Sequence, residues 1–397
     1  MSISNLSHFK VKVTFVVAAA TMLVVADAES APLDPRDFSS LGAFPSGDFT
    51  IDTDALTFDG IPGGIVVPQG GDAPDIAVFA FNGGSTFASG DSITVVGDKA
   101  LAILFQGSAM LSGTIDVSGS DGSEPVPNVV TGLRGLGVAG GGDGGNGGPF
   151  SSERDGIGPG HGVNGSNSAS VSGVGSGSGA GFGTGGGRGG VAVTERPGGL
   201  PYGDPLRDLL FAGSGGGGGG GQSTTRLGGG GGAGGGALEI GALSTLDFAG
   251  ATILANGGDG ANGFSDGGAG SGGGILVHGQ SIALDAATLM QANGGDGGSG
   301  VNVGGCGGAG RIELLHHPSG TFENLGTIEV LAGSVNGDCI DGEHVVVATP
   351  EVGVPEPASL LLCLAALALF ICPQRKPRVA SIVHSQLAAE ARSFRVD

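Results

Sequence analysis

The sequence predicts an all-β chain, a glycine-rich parallel β-helix (β-solenoid) with long glycine loops, and three observations carry that expectation. The first is a fixed step: Leu238, Ile275 and Ile312 each open a short apolar run just after a glycine tract, and neighbours in the series lie 37 residues apart. The second is a repeated phrase, Ala-Asn-Gly-Gly-Asp-Gly, which begins at Ala255 and again at Ala292, also 37 apart. The third is composition. Glycine makes up 89 of 397 residues without the Gly-X-Y period of collagen, yet runs of Val, Ile, Leu and Ala recur between the tracts, which disordered glycine-rich chains lack.

Each repeat holds three strand-like runs, for example Leu238 to Ile240, Leu246 to Phe248 and Ile253 to Ala255, bounded by Gly, Ser or Asp. Runs this short cannot make a hairpin sheet alone; stacked coils bury their apolar sides together. Leu101 to Gly122 reads as an earlier coil, with Leu101 to Ile103, Ala109 to Leu111 and Thr114 to Val117 as its runs. Gly326 to Val330 resembles the third run once more, so at least four coils are expected, and Phe49 to Val96 supplies capping coils. A β-sandwich with long glycine loops would use similar short strands, but it does not require a fixed step. The predicted layout is a signal peptide over 1–28, N-terminal strands and a first coil over 29–122, a glycine-rich low-complexity insertion over 123–236, solenoid coils over 237–350, a sorting segment with a transmembrane helix over 353–378, and a tail over 379–397.

The ends predict export. Lys10 and Lys12 precede an uncharged run from Val13 to Val25 and the small-residue site Ala26-Asp27-Ala28, the order of a secretory signal peptide cleaved after Ala28. At the other end Val354, Pro355, Glu356 and Pro357 precede an uncharged stretch from Ala358 to Cys372 and the basic residues Arg375, Lys376 and Arg378. Hydrocarbon accepts such a stretch only as a helix. At about 1.5 Å per residue it would cover roughly 22 Å, a thin span, with the basic residues as a cytoplasmic stop.

The order Val-Pro-Glu-Pro, apolar helix, basic cluster resembles the PEP-CTERM sorting signal of Gram-negative bacteria that make extracellular polysaccharide. The resemblance covers only about the last twentieth of the chain. It implies a membrane protease of the exosortase type that cuts near Pro355 to Pro357, a transient membrane-inserted precursor, and a mature protein at the cell surface or outside the cell. The family usually ends just past its basic cluster, whereas here Val379 to Asp397 continues.

The formal net charge is −21, and Lys99 is the one lysine between the two terminal segments. Such an acidic chain repels phosphate backbones, so nucleic acid is not an expected partner. Divalent cations or cationic surfaces are its electrostatic complements. No cofactor is required by any motif, and Ca²⁺ is the one candidate ion: Asp121, Asp143, Asp259 and Asp296 place oxygen ligands near coil corners. However, Asn262 and Ser299 stand where a calcium-binding nonapeptide repeat has Asp, and no nine-residue period follows.

Two of the four cysteines, Cys363 and Cys372, lie in the C-terminal apolar stretch. Cys306 and Cys339 form the exported pair, a possible disulfide in an oxidising compartment, although pairing needs a proximity that spacing does not show. Asn256 and Asn293, one step apart, are expected to stack as a structural ladder. Asp247 and Asp285 occupy comparable second-strand positions and form the one carboxylate pair to weigh for polysaccharide cleavage. Neither has a sugar-holding Lys, Arg, Tyr or Trp beside it. His316 and His317 point to opposite faces of a strand and cannot easily share a metal, and His278 stands apart from them. No catalytic or metal residues are therefore assigned. The expected function is a non-catalytic exported surface or matrix protein, structural or adhesive, with extracellular polysaccharide as a possible partner; the alternative is a secreted polysaccharide lyase or glycoside hydrolase on the same fold.

Overall fold

A computed structural model describes residues 32–348 apart from 153, 169–172, 191–195, 204–208, 335–338, 340, 341, 343 and 344. The signal peptide, the sorting segment and the tail, including Val354, Pro355, Glu356, Pro357, Arg375, Lys376 and Arg378, lie outside the described residues. Among those described, no helix is long and apolar enough to cross a membrane.

The described chain is almost entirely β, with one 3-10 turn at Pro35–Asp37. A cap of short strands comes first: β1 (Phe49–Asp52), β2 (Thr57–Phe58), β3 (Ile61–Pro62) and β4 (Ile65–Val67). Strands then come in threes: β5 (Ile76–Asn82), β6 (Ser85–Phe87), β7 (Ser92–Val96); β8 (Ala100–Gln106), β9 (Ala109–Leu111), β10 (Thr114–Asp116); β11 (Ala237–Ala242), β12 (Thr245–Phe248), β13 (Thr252–Leu254); β14 (Gly274–Gly279), β15 (Ser281–Leu284), β16 (Leu289–Gln291); β17 (Arg311–His316), β18 (Phe322–Asn324), β19 (Thr327–Glu329); and finally β20 (Val345–Ala348).

Each strand from β5 to β17 pairs in parallel with the strand three places later, giving three sheets, and among these strands the antiparallel pairs are β1–β2, β2–β3 and β4–β5, at the cap. This wiring is compatible with a parallel β-helix. Leu238 is in register with Ile275, and Ile275 with Ile312, so the 37-residue step is the distance along the chain from one coil to the next. Leu238 is likewise in register with Leu101.

Strand side chains alternate between faces, and the inward set forms one core. Phe81, Ile103, Phe105, Ile240, Val277 and Leu314 enter it from the first sheet, Phe87, Leu246, Phe248 and Ile282 from the second, and Ile93, Ile115, Ile253 and Met290 from the third. Aromatic bulk is concentrated at the cap, where the Phe44 ring lies 4.8–6.1 Å from the rings of Phe49, Phe58, Phe81, Phe87 and Phe105. A second apolar layer covers the outer face of the first sheet, with Leu33, Phe38, Leu210 and Ala212 packed on Val78, Ala102, Leu104 and Leu276.

The long stretch between β10 and β11 packs with the glycine tracts of the later coils as a bundle of extended segments. Its order is readable in the hydrogen bonds of 213–221. The N–H groups of Gly213, Gly216 and Gly219 donate to the carbonyls of Gly235, Gly232 and Gly229; those of Gly215 and Gly218 donate to Ile157 and Arg154; those of Gly217 and Gly220 donate to Ser178 and Gly175. In return, the carbonyls of Gly213, Gly216 and Gly219 accept from Gly142, Gly145 and Gly148, those of Gly215 and Gly218 from Gly162 and Gly165, and that of Gly217 from Gly268.

The same neighbour therefore recurs every third residue, the period of a polyproline II chain, and six surrounding segments satisfy the backbone of this one. Side chains would prevent such close approach. A Cβ on Gly217 would lie 2.2 Å from the Val163 carbonyl oxygen, and one on Gly268 would lie 2.0 Å from that of Ser178.

Candidate functional site

Strands β10, β13, β16 and β19 each run on into a bundle segment, 118–124, 255–262, 292–299 and 330–334, and the four segments form an outer layer. Within it, Gly119 and Gly122 donate to the carbonyls of Asn256 and Asp259, Gly257 and Gly260 to Asn293 and Asp296, and Gly294 to Leu331. With three residues per turn, one residue in three turns its N–H away from these bonds. At those positions the sequence supplies short oxygen-bearing side chains.

Their oxygens cap the outward N–H groups of the next coil. Ser118 Oγ accepts from Asn256 N at 3.0 Å, Asn256 Oδ1 from Asn293 N at 2.8 Å, and Asn293 Oδ1 from Leu331 N at 2.8 Å. Three residues further along, Asp121 Oδ1 accepts from Asp259 N at 2.8 Å, Asp259 Oδ1 from Asp296 N at 2.7 Å, and Asp296 Oδ1 from Ser334 N at 2.6 Å. A third row has Glu124 Oε1 accepting from Asn262 Nδ2 at 3.2 Å and Asn262 Oδ1 accepting from Ser299 N at 2.8 Å. The result is a grid of polar rows on glycine-rich segments.

The structure corrects two details of the expected ladder. Asn256 and Asn293 align one coil apart, but the amide oxygen bonds the next backbone N–H rather than the next amide, because an outward-facing peptide donor lies nearer. Asp143 does not join the row of Asp121, Asp259 and Asp296. It sits on another segment, 3.2 Å from Arg134 Nη2, and accepts the Gly137 N–H. In the row itself burial, together with the charges of Asp121 and Asp296, pushes the Asp259 carboxyl above its ordinary pKa. No group of three or more His, Cys, Asp or Glu among the described residues is arranged to hold a metal ion.

Asp247 and Asp285 occupy different local settings. Asp247 is in register with Ala283 on the second sheet, whereas Asp285 lies just past the end of β15. There its Oδ1 accepts from Gly250 N, Ala287 N and the Thr288 hydroxyl, at 2.9–3.0 Å. These contacts, led by the Thr288 hydroxyl, hold its pKa below the ordinary value and make it a turn-capping residue. The His316 ring stacks on Phe322 at 5.8 Å, and His317 Nδ1 lies 2.7 Å from Ser319 Oγ.

Where the bundle meets the N-terminal coils there is a cavity of about 350 Å³, lined by Asp72, Pro74, Asp98, Ile157, Tyr202 and glycine backbone. Tyr202 is the only tyrosine of the chain. Its hydroxyl donates to the Ala212 carbonyl and accepts from Ser214 Oγ, and burial raises its pKa. The phenol is thus a structural tie, and the lining carries no basic side chain.

A disulfide joins Cys306 to Cys339, with Cα atoms 6.4 Å apart, and fastens the end of the last described bundle segments. A buried pair that sequence reasoning missed, Glu239 of β11 and His278 of β14, lies on the outer face of the first sheet, with His278 Nε2 2.9 Å from Glu239 Oε1. The signal was available: Glu239 interrupts an apolar run and His278 follows it by 39 residues, but alternation alone assigns both to solvent. No protein family, curated protein or solved structure matches this chain.

Proposed function

We propose that this chain is a non-catalytic, exported structural or adhesive protein of the cell surface or extracellular matrix. Its coils form an elongated acidic β-helix, and its C-terminal segment is a PEP-CTERM-like signal for an exosortase-type protease. The observation that supports this reading is the polar grid, in which one oxygen each of Ser118, Asn256, Asn293, Asp121, Asp259, Asp296 and Asn262 caps a backbone donor of the next coil. Such side chains serve rigidity and present a hydrated polar face for contacts with matrix polymers. The carboxylates weighed for sugar cleavage are turn and strand residues, so no specific observation favours the hydrolase or lyase reading.

The test is localisation in a host that carries the sorting protease. Labelling of whole cells should find the chain at the surface or in the matrix, with its N-terminus beginning after Ala28. Replacing Pro355, Glu356 and Pro357 by Ala should hold it in the membrane fraction. A chain found in the cytoplasm with Met1 intact would overturn the proposal.

A further inference from the structure

The outer face of the first sheet carries an ionisable pair under a cover. Residues 33–38 cross this face, with Leu33 and Phe38 buried against Val78, Ala102 and Leu276. Gln106 Nε2 fastens the cover by donating to the Phe38 carbonyl at 2.6 Å and to that of Pro35 at 3.3 Å. Beneath it Glu239 is fully buried. Its Oε1 accepts the Leu33 N–H at 2.6 Å and faces His278 Nε2 at 2.9 Å, whereas Oε2 is buried with no hydrogen-bond partner.

A carboxylate held this way is tolerable when an opposite charge touches it and costly when none does. His278 is the cation within reach, and only when its ring is protonated. Its side chain is 12% exposed, so part of the ring reaches solvent while the cover is closed. We propose that residues 33–38 form a pH-gated strap, latched on Glu239 while His278 is protonated and released as rising pH discharges the imidazole.

The other charged groups near the pair are mostly acidic. On the strap, Asp34 is engaged by Arg36 at 3.0 Å and Asp37 is adjacent. On β17, Glu313 is in register with Leu276, two residues before His278. Carboxylates outnumber the single guanidinium, and that guanidinium is already paired with Asp34. Release would remove Leu33 and Phe38 from the apolar strip of Val78, Ala102, Leu104 and Leu276, which Leu210 and Ala212 cover only in part.

Hydrogen exchange of the full-length chain tests this, measured from about pH 5.5 to about pH 8.5 and corrected for intrinsic rates. Protection of peptides covering 33–38 should fall about tenfold through the imidazole range, while β14 stays protected. His278→Gln should abolish the step. So should Gly241→Ala, whose new methyl would lie 2.1 Å from His278 Nε2 and displace the ring. A wild-type strap without a step, or the same step in His278→Gln with β14 still protected, would overturn the latch, since His161, His316 and His317 remain in that variant. Should His278→Gln fail to fold, Gly241→Ala decides: an unchanged step overturns the proposal.

Discussion

The coils and the glycine bundle belong to one chain, yet their interiors are built from opposite materials. The coils bury Phe, Ile and Leu side chains, and their backbones pair only sideways within sheets. The bundle buries mainly glycine and small side chains such as Ser178, Ala180 and Ala233, with few large ones such as Phe182; its interior is peptide bonded to peptide in several directions around each segment. Apolar burial contributes roughly 25 cal/mol per Å² removed from water, a source the bundle largely lacks. Its stability rests on many hydrogen bonds, each worth about 1 kcal/mol net. That arrangement tolerates no added atom where segments touch.

Substitutions that address one interior at a time sharpen this contrast. The largest effect is expected in the coils. Ile275→Asp places a carboxylate in a core position that is 2% exposed, and the loss should be several kcal/mol, read as collapse of the melting transition. Phe105→Ala, at a position with no exposure, should cost about 3–5 kcal/mol in denaturant unfolding. Removing the disulfide by Cys306→Ser with Cys339→Ser releases a separation of 33 residues and should cost about 3–4 kcal/mol. Early opening of the last bundle segments, seen by hydrogen exchange, would accompany it.

The bundle is best probed by a single methyl group. Gly217→Ala should cost about 1–3 kcal/mol by overpacking, whereas Gly185→Ala, whose new Cβ would meet nothing closer than 3.6 Å, should stay within about 0.5 kcal/mol. Equal effects at the two positions would refute the close-packed reading of the bundle.

The smallest effect belongs to the grid. Because the Asp259 carboxyl is pushed above its ordinary pKa, its ionised form is disfavoured in the folded state. Stability should therefore decline as pH rises through the raised carboxylate range. Asp259→Asn keeps an oxygen for the Asp296 N–H and removes the charge. It should raise the melting temperature slightly at neutral pH and leave it unchanged in acid, where the wild-type carboxyl is already neutral.

The coil step was legible because apolar residues mark it: Leu238, Ile275 and Ile312 announce the register that the strands adopt. The interior of 123–236 was not, since glycine carries no side chain by which a three-residue period could show as hydrophobic alternation. Asn256 and Asn293 were readable as a ladder, but their true acceptor role depends on which peptide N–H groups face outward. Asp247 and Asp285 looked equivalent because both fall at comparable second-strand positions of the repeat; the structure separates them by placing one on a strand and the other in a turn. Glu239 and His278 were invisible as a pair because their environment is made by Leu33 and Phe38, more than 200 residues earlier in the chain.

Strand β8 has consequences in time as well as in space. It pairs with β11, Leu101 against Leu238, so the second coil cannot be completed until more than a hundred further residues have emerged. Meanwhile 213–221 waits for Gly268 to close its ring of neighbours. Contacts at such separations make folding slow, because loop entropy is lost before the pairing that rewards it. A chain that assembles late in this way keeps most of its length open until its last coils are available, and locks only then.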